Sequence, residues 1–151
     1  MTTEELILAQ MMAHPEAIAR FEEKLGYLPG PHHNTVAMMM IYQQRRLGHI
    51  DLALLMDWAV NEEIRQLLSR LATGWAYELP YDEKAFDGAL CKVRISIKED
   101  QAEALRRQLK QPMNARSRDV LLKEYQECLI ELRELILNKN RNDRQKEDNN
   151  V

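Results

Sequence analysis

Apolar residues recur at helical spacing along most of the chain, and the longest such stretch runs from Asp82 to Ile136. Phe86, Leu90, Val93, Ile97, Ala104 and Leu105 form one run. Leu122, Tyr125, Leu129, Leu132 and Ile136 form a second, with steps alternating between three and four, the spacing that keeps a seam on one helix face. Between them, Lys110-Gln-Pro-Met-Asn-Ala-Arg-Ser117 holds a proline, which lacks an N–H and clashes with the preceding turn of a helix. Two long helices joined by that break are expected to fold back as an αα-hairpin. The seam from Leu122 to Ile136 is expected to be consumed between them, which leaves Leu109, Met113, Val120, Leu121 and Leu135 off the seam.

Upstream, the same periodicity breaks into shorter pieces. Thr2 with Glu5 three residues later forms a capping box ahead of Leu6, Ile7, Leu8, Met11 and Met12. His14-Pro15 marks a boundary, and a second helix carries Ala17, Ile18, Phe21 and Leu25 to Gly26, a C′ glycine. A loop at Tyr27–Pro31 leads to a third helix from His32 or His33 to Gly48. It is apolar on most sides through Met38–Ile41, the mark of a central helix. Asp51 caps a short helix over Leu52–Trp58, and Asn61 caps another over Glu62–Ala72 with Ile64, Leu67, Leu68 and Leu71 on one face. Thr73–Pro80 reads as a loop whose Trp75 and Tyr77 fold back on the bundle, and Asp82 or its neighbour caps the long sixth helix. The expectation is an all-α chain: a compact bundle of about six helices over residues 1–96, a helical hairpin over 97–137, and a polar, disordered tail over 138–151. Most of Met11, Met12 and Met38–Met40 serve as core filler, with one or two of the triple exposed.

Charge divides along the same line. Net charge is −3, yet residues 1–90 hold 7 basic and 13 acidic side chains, and the remainder holds 14 basic and 11 acidic. A mildly acidic body with a mildly basic arm can orient a partner, but it provides no field strong enough to attract nucleic acid by itself. Cys91 and Cys128 fall on apolar-periodic positions outside any Cys-x-x-Cys pair, so they read as small core residues of a reducing compartment. No apolar run reaches the roughly 20 residues of a membrane span, and the Met-Thr-Thr-Glu-Glu start lacks the basic region of a signal peptide. A soluble, cytoplasmic protein is expected.

Residues suited to chemistry do not converge. His32 and His33 are adjacent, so on a helix their rings point about 100° apart. No cysteine or carboxylate stands four residues on, and a cap explains them better than a metal site. The pairs Glu4-Glu5, Glu22-Glu23 and Glu62-Glu63 are consecutive and cannot meet on one substrate atom. Glycine-rich phosphate loops and nucleophile elbows are absent from the sequence. Arg45-Arg46, Arg106-Arg107, Arg116 and Arg118 are interleaved with acids and have no aromatic platform, which allows a weak phosphate contact but not a dedicated nucleic-acid surface.

The order of features matches a known module. Glu5-Leu-Ile-Leu-Ala-Gln-Met-Met-Ala-His-Pro15, a short helix to Leu25-Gly26, His33-Asn-Thr-Val-Ala-Met-Met-Met-Ile-Tyr42 and Asp51-Leu-Ala-Leu-Leu-Met56 together resemble the C-terminal helicase-binding domain of bacterial DNA primase. The pattern looks most like the version of Gram-positive bacteria, and it spans about Glu4 to Leu137. The N-terminal domain of the replicative helicase is similar in its bundle and hairpin and is the alternative. A stand-alone helical nucleic-acid binder is the second alternative.

The resemblance implies a non-catalytic module, expected to be an excised part of a primase whose zinc and magnesium sit in other domains. This region would need no cofactor. Its partner would be the hexameric replicative helicase, met through the helicase N-terminal domains at replication forks, with the chain itself a monomer that binds little nucleic acid and no membrane. In the family the bundle modulates the helicase and the hairpin grips it. On this sequence the grip falls on Ile97–Leu109 and Val120–Ile136. The residues expected to meet the partner are Leu109, Met113, Arg116, Val120, Leu121, Tyr125 and Leu135, with Arg118 and Lys123 adding to the basic rim; the alternative for Leu121 and Leu135 is that they cover the base of the hairpin.

Overall fold

The computed structural model describes residues 1–149, with side chains to residue 144. The chain is all-α, and no strand occurs among the described residues. The helices are α1 (Thr3–Ala13), α2 (Pro15–Lys24), α3 (Pro31–Leu47), α4 (Leu52–Trp58), α5 (Glu62–Thr73), α6 (Glu83–Leu109) and α7 (Ala115–Asn149). A one-turn 3-10 helix covers Trp75–Glu78. The chain divides into two compact units, Met1–Leu90 and Cys91–Val151, so the division comes earlier than the one expected after residue 96. α6 supplies helical turns to both.

Local chemistry sets the helix ends of the first unit. Thr2 Oγ1 accepts from the Glu5 N–H at 3.1 Å while Glu5 Oε2 accepts from the Thr2 N–H at 3.3 Å, the reciprocal capping box. His14 ends α1 in an extended conformation, and Pro15 opens α2 at a position whose N–H a helix does not use. Gly26 (φ 86°) and Gly48 (φ 76°) take the left-handed conformation that closes α2 and α3. Asp51 accepts from the Leu54 N–H, Asn61 from Ile64 and Asp82 from Lys84 and Ala85, each as the cap its position predicts.

The buried helix at the centre of this unit is α1, not α3. Ile7 through Met12 are all buried, and α1 packs on α2, α3, α5 and the 3-10 turn. A helix apolar on all sides must be surrounded. α3 buries Val36, Ala37, Met40 and Ile41 but exposes Met38 and Tyr42, so it lies at the wall. The methionines follow the expected division, with Met11, Met12 and Met40 in the core. Phe21, Leu55, Ile64, Leu68, Leu71, Phe86 and Leu90 complete the core. Arg20 ties α2 to the first turns of α6 through two 2.7 Å hydrogen bonds to Asp87, a bidentate pair that pushes the Arg20 pKa further up.

Trp75 and Tyr77 do not fold inward. They are 62% and 39% exposed, while Ala76 between them is buried. The 3-10 turn explains this, because only one side of so tight a turn can face the core and the backbone there is held from beneath by Gln10.

Helix α7 continues to Asn149, through the stretch expected to be a polar, disordered tail. Residues 115–149 contain neither glycine nor proline, and Lys, Arg, Gln and Glu are good helix formers. Once a helix is nucleated, each added residue costs little. Residues 150 and 151 of that tail lie outside the described residues.

Candidate interaction surface

The second unit is built on two matching seams. On α6, Cys91, Ile95, Lys98, Ala102, Leu105 and Leu109 are buried or half-buried at steps of four and three. On α7 the same pattern falls on Leu121, Tyr125, Cys128, Leu132, Leu135 and Lys139. The Cys91 thiol approaches the Leu135 carbonyl at 3.7 Å and the Cys128 thiol that of Lys98 at 3.5 Å, which sets an antiparallel register. Lys98 also pairs with Glu131. Burial, opposed in part by the neighbouring Arg94 charge, raises the Cys91 pKa, consistent with an inert packing thiol.

This register corrects the seam expected from spacing alone. Leu122, Leu129 and Ile136, read as internal, are 43%, 40% and 39% exposed. Leu121 and Leu135, read as spare, are half-buried on the seam. Two alternating patterns one residue apart share Tyr125 and Leu132, so spacing does not separate them. Packing does, because the small Cys128 and Ala102 let the two helices approach where leucine would hold them apart. Of the residues expected to meet a partner, Leu109, Met113, Leu121, Tyr125 and Leu135 are half-buried, while Arg116 and Val120 are exposed.

Consecutive helical residues lie about 100° apart, so the two flanks of the α7 seam follow from the sequence once the register is known. The residue after each seam position gives Leu122, Gln126, Leu129, Arg133 and Ile136. Farther round the same side stand Ile130, 59% exposed, and Leu137, 46% exposed. The residue before the seam gives Val120, Glu124, Glu127 and Glu131. These three glutamates line a groove of about 400 Å³ with Lys98, Gln101 and Leu105. One flank is therefore an acidic groove and the other an apolar stripe of heptad period with a guanidinium beside it. Exposed aliphatic side chains repeated along one flank of a helix, interrupted there by Gln126 and Arg133, suit contact with another molecule better than scattered single residues do.

Elsewhere, titratable groups form structural ties. His33 stands between Glu4 (3.4 Å) and Glu5 (3.8 Å), joining the starts of α1 and α3. Burial raises the Glu5 pKa, but the Arg70 hydrogen bond and the Thr2 N–H outweigh it, and the net shift is downward. Among the described residues no group of three His, Cys, Asp or Glu side chains is arranged to hold a metal ion, and no helix is long and apolar enough to cross a membrane. No family model, curated protein or solved structure matches the chain.

Proposed function

We propose that the chain is a protein-interaction module of the helicase-binding kind found at the C-terminus of bacterial DNA primase, and that α7 is its docking element. The observation that carries this reading is the exposed stripe Leu122–Leu129–Ile136, extended by Ile130 and Leu137 on a helix whose other face is already occupied by α6. A heptad-spaced stripe is suited to lying along a partner helix, with a few desolvated aliphatic anchors supplying most of the binding free energy. The order of elements from the capping box of α1 to the hairpin supports the same reading. In this role the module performs no chemistry and needs no cofactor. It would bring primer synthesis, carried out by other domains of its parent, to the helicase ring at the fork in the cytoplasm.

Co-elution with a hexameric replicative helicase on a sizing column tests the proposal. Leu129→Glu or Ile136→Glu is expected to weaken the complex by about tenfold or more, as charging a central anchor does. Arg133→Glu should act mainly on the association rate and its salt dependence. Unchanged co-elution of the Leu129→Glu, Ile136→Glu double variant would reject the docking role of α7. Dimers or trimers of the isolated chain would favour the helicase N-terminal domain instead. Tight single-stranded DNA binding with a steep salt slope would favour the nucleic-acid reading.

A further inference from the structure

A second binding feature lies in the first unit and stands independently of the helicase reading. A cleft of about 510 Å³ is lined by Leu6 and Gln10 of α1, Trp75, Leu79 and Pro80 of the connecting turn, and Asp82, Ala85, Phe86 and Ala89 of α6. Its volume falls within the roughly 300–1,000 Å³ of ligand-binding clefts. The floor is made by i,i+4 positions of two helices, and Ala85 and Ala89 are small enough to let another backbone come close. On the rim, Trp75 and Leu79 are 62% and 41% exposed.

The cleft wall is held in place. The buried Gln10 donates from Nε2 to the carbonyls of Ala76 (2.7 Å) and Leu79 (3.3 Å), and His14 Nε2 lies 2.8 Å from the same Leu79 carbonyl. A core glutamine therefore fixes a turn that presents an indole and a leucine to solvent. Such prior ordering lowers the entropic cost of binding.

Charge selects the occupant. Asp82 is the titratable group of the lining, and Glu78 lies between Trp75 and Leu79 in the turn. Arg20, Arg45, Arg65 and Arg70 each pair with a carboxylate of their own unit, and with Lys24, Arg46 and Lys84, the last beside Asp82, the 7 basic residues of 1–90 stand against 13 acidic ones, a net charge of −6. We propose that this cleft, an apolar floor with an exposed tryptophan and an acidic rim, binds a basic amphipathic helix of a partner protein, whose apolar side chains fill the floor while its Lys or Arg residues face Asp82 and Glu78.

The test uses the full chain and two synthetic helical peptides of about 14 residues, leucine on one face and either lysine or glutamate on the other. In a Trp58→Phe background, where Trp75 is the sole tryptophan, the lysine peptide is expected to shift its emission to the blue on binding. By anisotropy of a labelled peptide, Trp75→Ala is expected to weaken binding about tenfold. Asp82→Asn, which keeps an N-cap side chain on α6, should weaken it several-fold and reduce its salt dependence. Asp100→Asn, at an exposed position of the other unit, should leave peptide binding unchanged. Equal affinity for both peptides, an unmoved Trp75 emission, or full binding by Trp75→Ala would overturn the proposal. So would self-association of the chain that Trp75→Ala abolishes, since the cleft would then belong to a second copy.

Discussion

Gln10 stands among five apolar residues of α1 that are buried with it, and its carboxamide is the group that makes this position specific. Its two hydrogen bonds go to the Ala76 and Leu79 carbonyls beneath the 3-10 turn, alongside the Leu79 N–H on the first and His14 on the second. Gln10→Ala removes the donor and leaves a gap, and the expected cost is about 1–3 kcal/mol by denaturant unfolding. The same variant should raise hydrogen exchange at the Leu79 N–H, which donates to the Ala76 carbonyl across the 3-10 turn, relative to α5 and α6. Gln43 holds the α3–α4 connection in the same way, bonding both the N–H and the carbonyl of Asp51. Hydrophobic periodicity marks neither glutamine, because a buried polar residue becomes intelligible only when its partner, many residues away, is known.

Glu5 carries a pH dependence whose sign is fixed by its lowered pKa. The stability it contributes is fully present above its ordinary value of 4.5 and is lost as pH falls through the lower folded value. Glu5→Gln keeps a capping side chain but not the ionisation. The stability gap between the native chain and Glu5→Gln should therefore be greatest near neutrality and close as the pH falls below about 4.5 in chemical denaturation series. A gap that widens on acidification would contradict the assignment of Arg70 and Thr2 as the groups that hold its charge.

At the scale of elements, the helix ends and the hairpin seam were legible to different degrees. Thr2, Asp51, Asn61, Gly26 and Gly48 act within four or five residues of themselves, so the chain's local order suffices to place them. The α7 face needed α6, since Leu122–Leu129–Ile136 and Leu121–Cys128–Leu135 are equally periodic. Mutation separates the two faces. Leu121→Ala or Leu132→Ala should cost about 1–2 kcal/mol by loss of half-buried seam contacts, whereas Leu122→Ala or Leu129→Ala should cost less than about 0.5 kcal/mol. Circular dichroism during urea unfolding reads both. The stripe then meets the condition for a binding anchor, in that its removal affects association while leaving folding alone. Trp75 is a similar case, because composition alone makes an indole a core candidate and only the tight turn turns it outward.

At the scale of the whole molecule, the two units differ in how much core each can call on. Met1–Leu90 buries Phe21, Ile7, Leu8, Met11, Leu55, Leu68 and Leu71 almost completely. Among the described residues of Cys91–Val151 the buried hydrophobic side chains are Val93, Ala102 and Cys128, and the seam leucines of α7 remain half open to water. Each fully buried aliphatic or aromatic side chain contributes roughly 1.5–3 kcal/mol, so the free energy holding the hairpin is a small fraction of that holding the bundle. Local opening should follow that gradient. Native-state hydrogen exchange is expected to find α7 opening at a free energy several kcal/mol below that of α1, with α6 protected more strongly over Phe86–Leu90 than over Ala102–Leu109. A partner that lies along Leu122, Leu129 and Ile136 would supply the missing apolar cover, and its binding should raise protection across α7 by as much as mass action allows while leaving α1 unchanged. Uniform protection across both units in the free chain would mean that the hairpin draws its stability from the same cooperative core as the bundle, and the separate adaptability of the docking arm would then be lost.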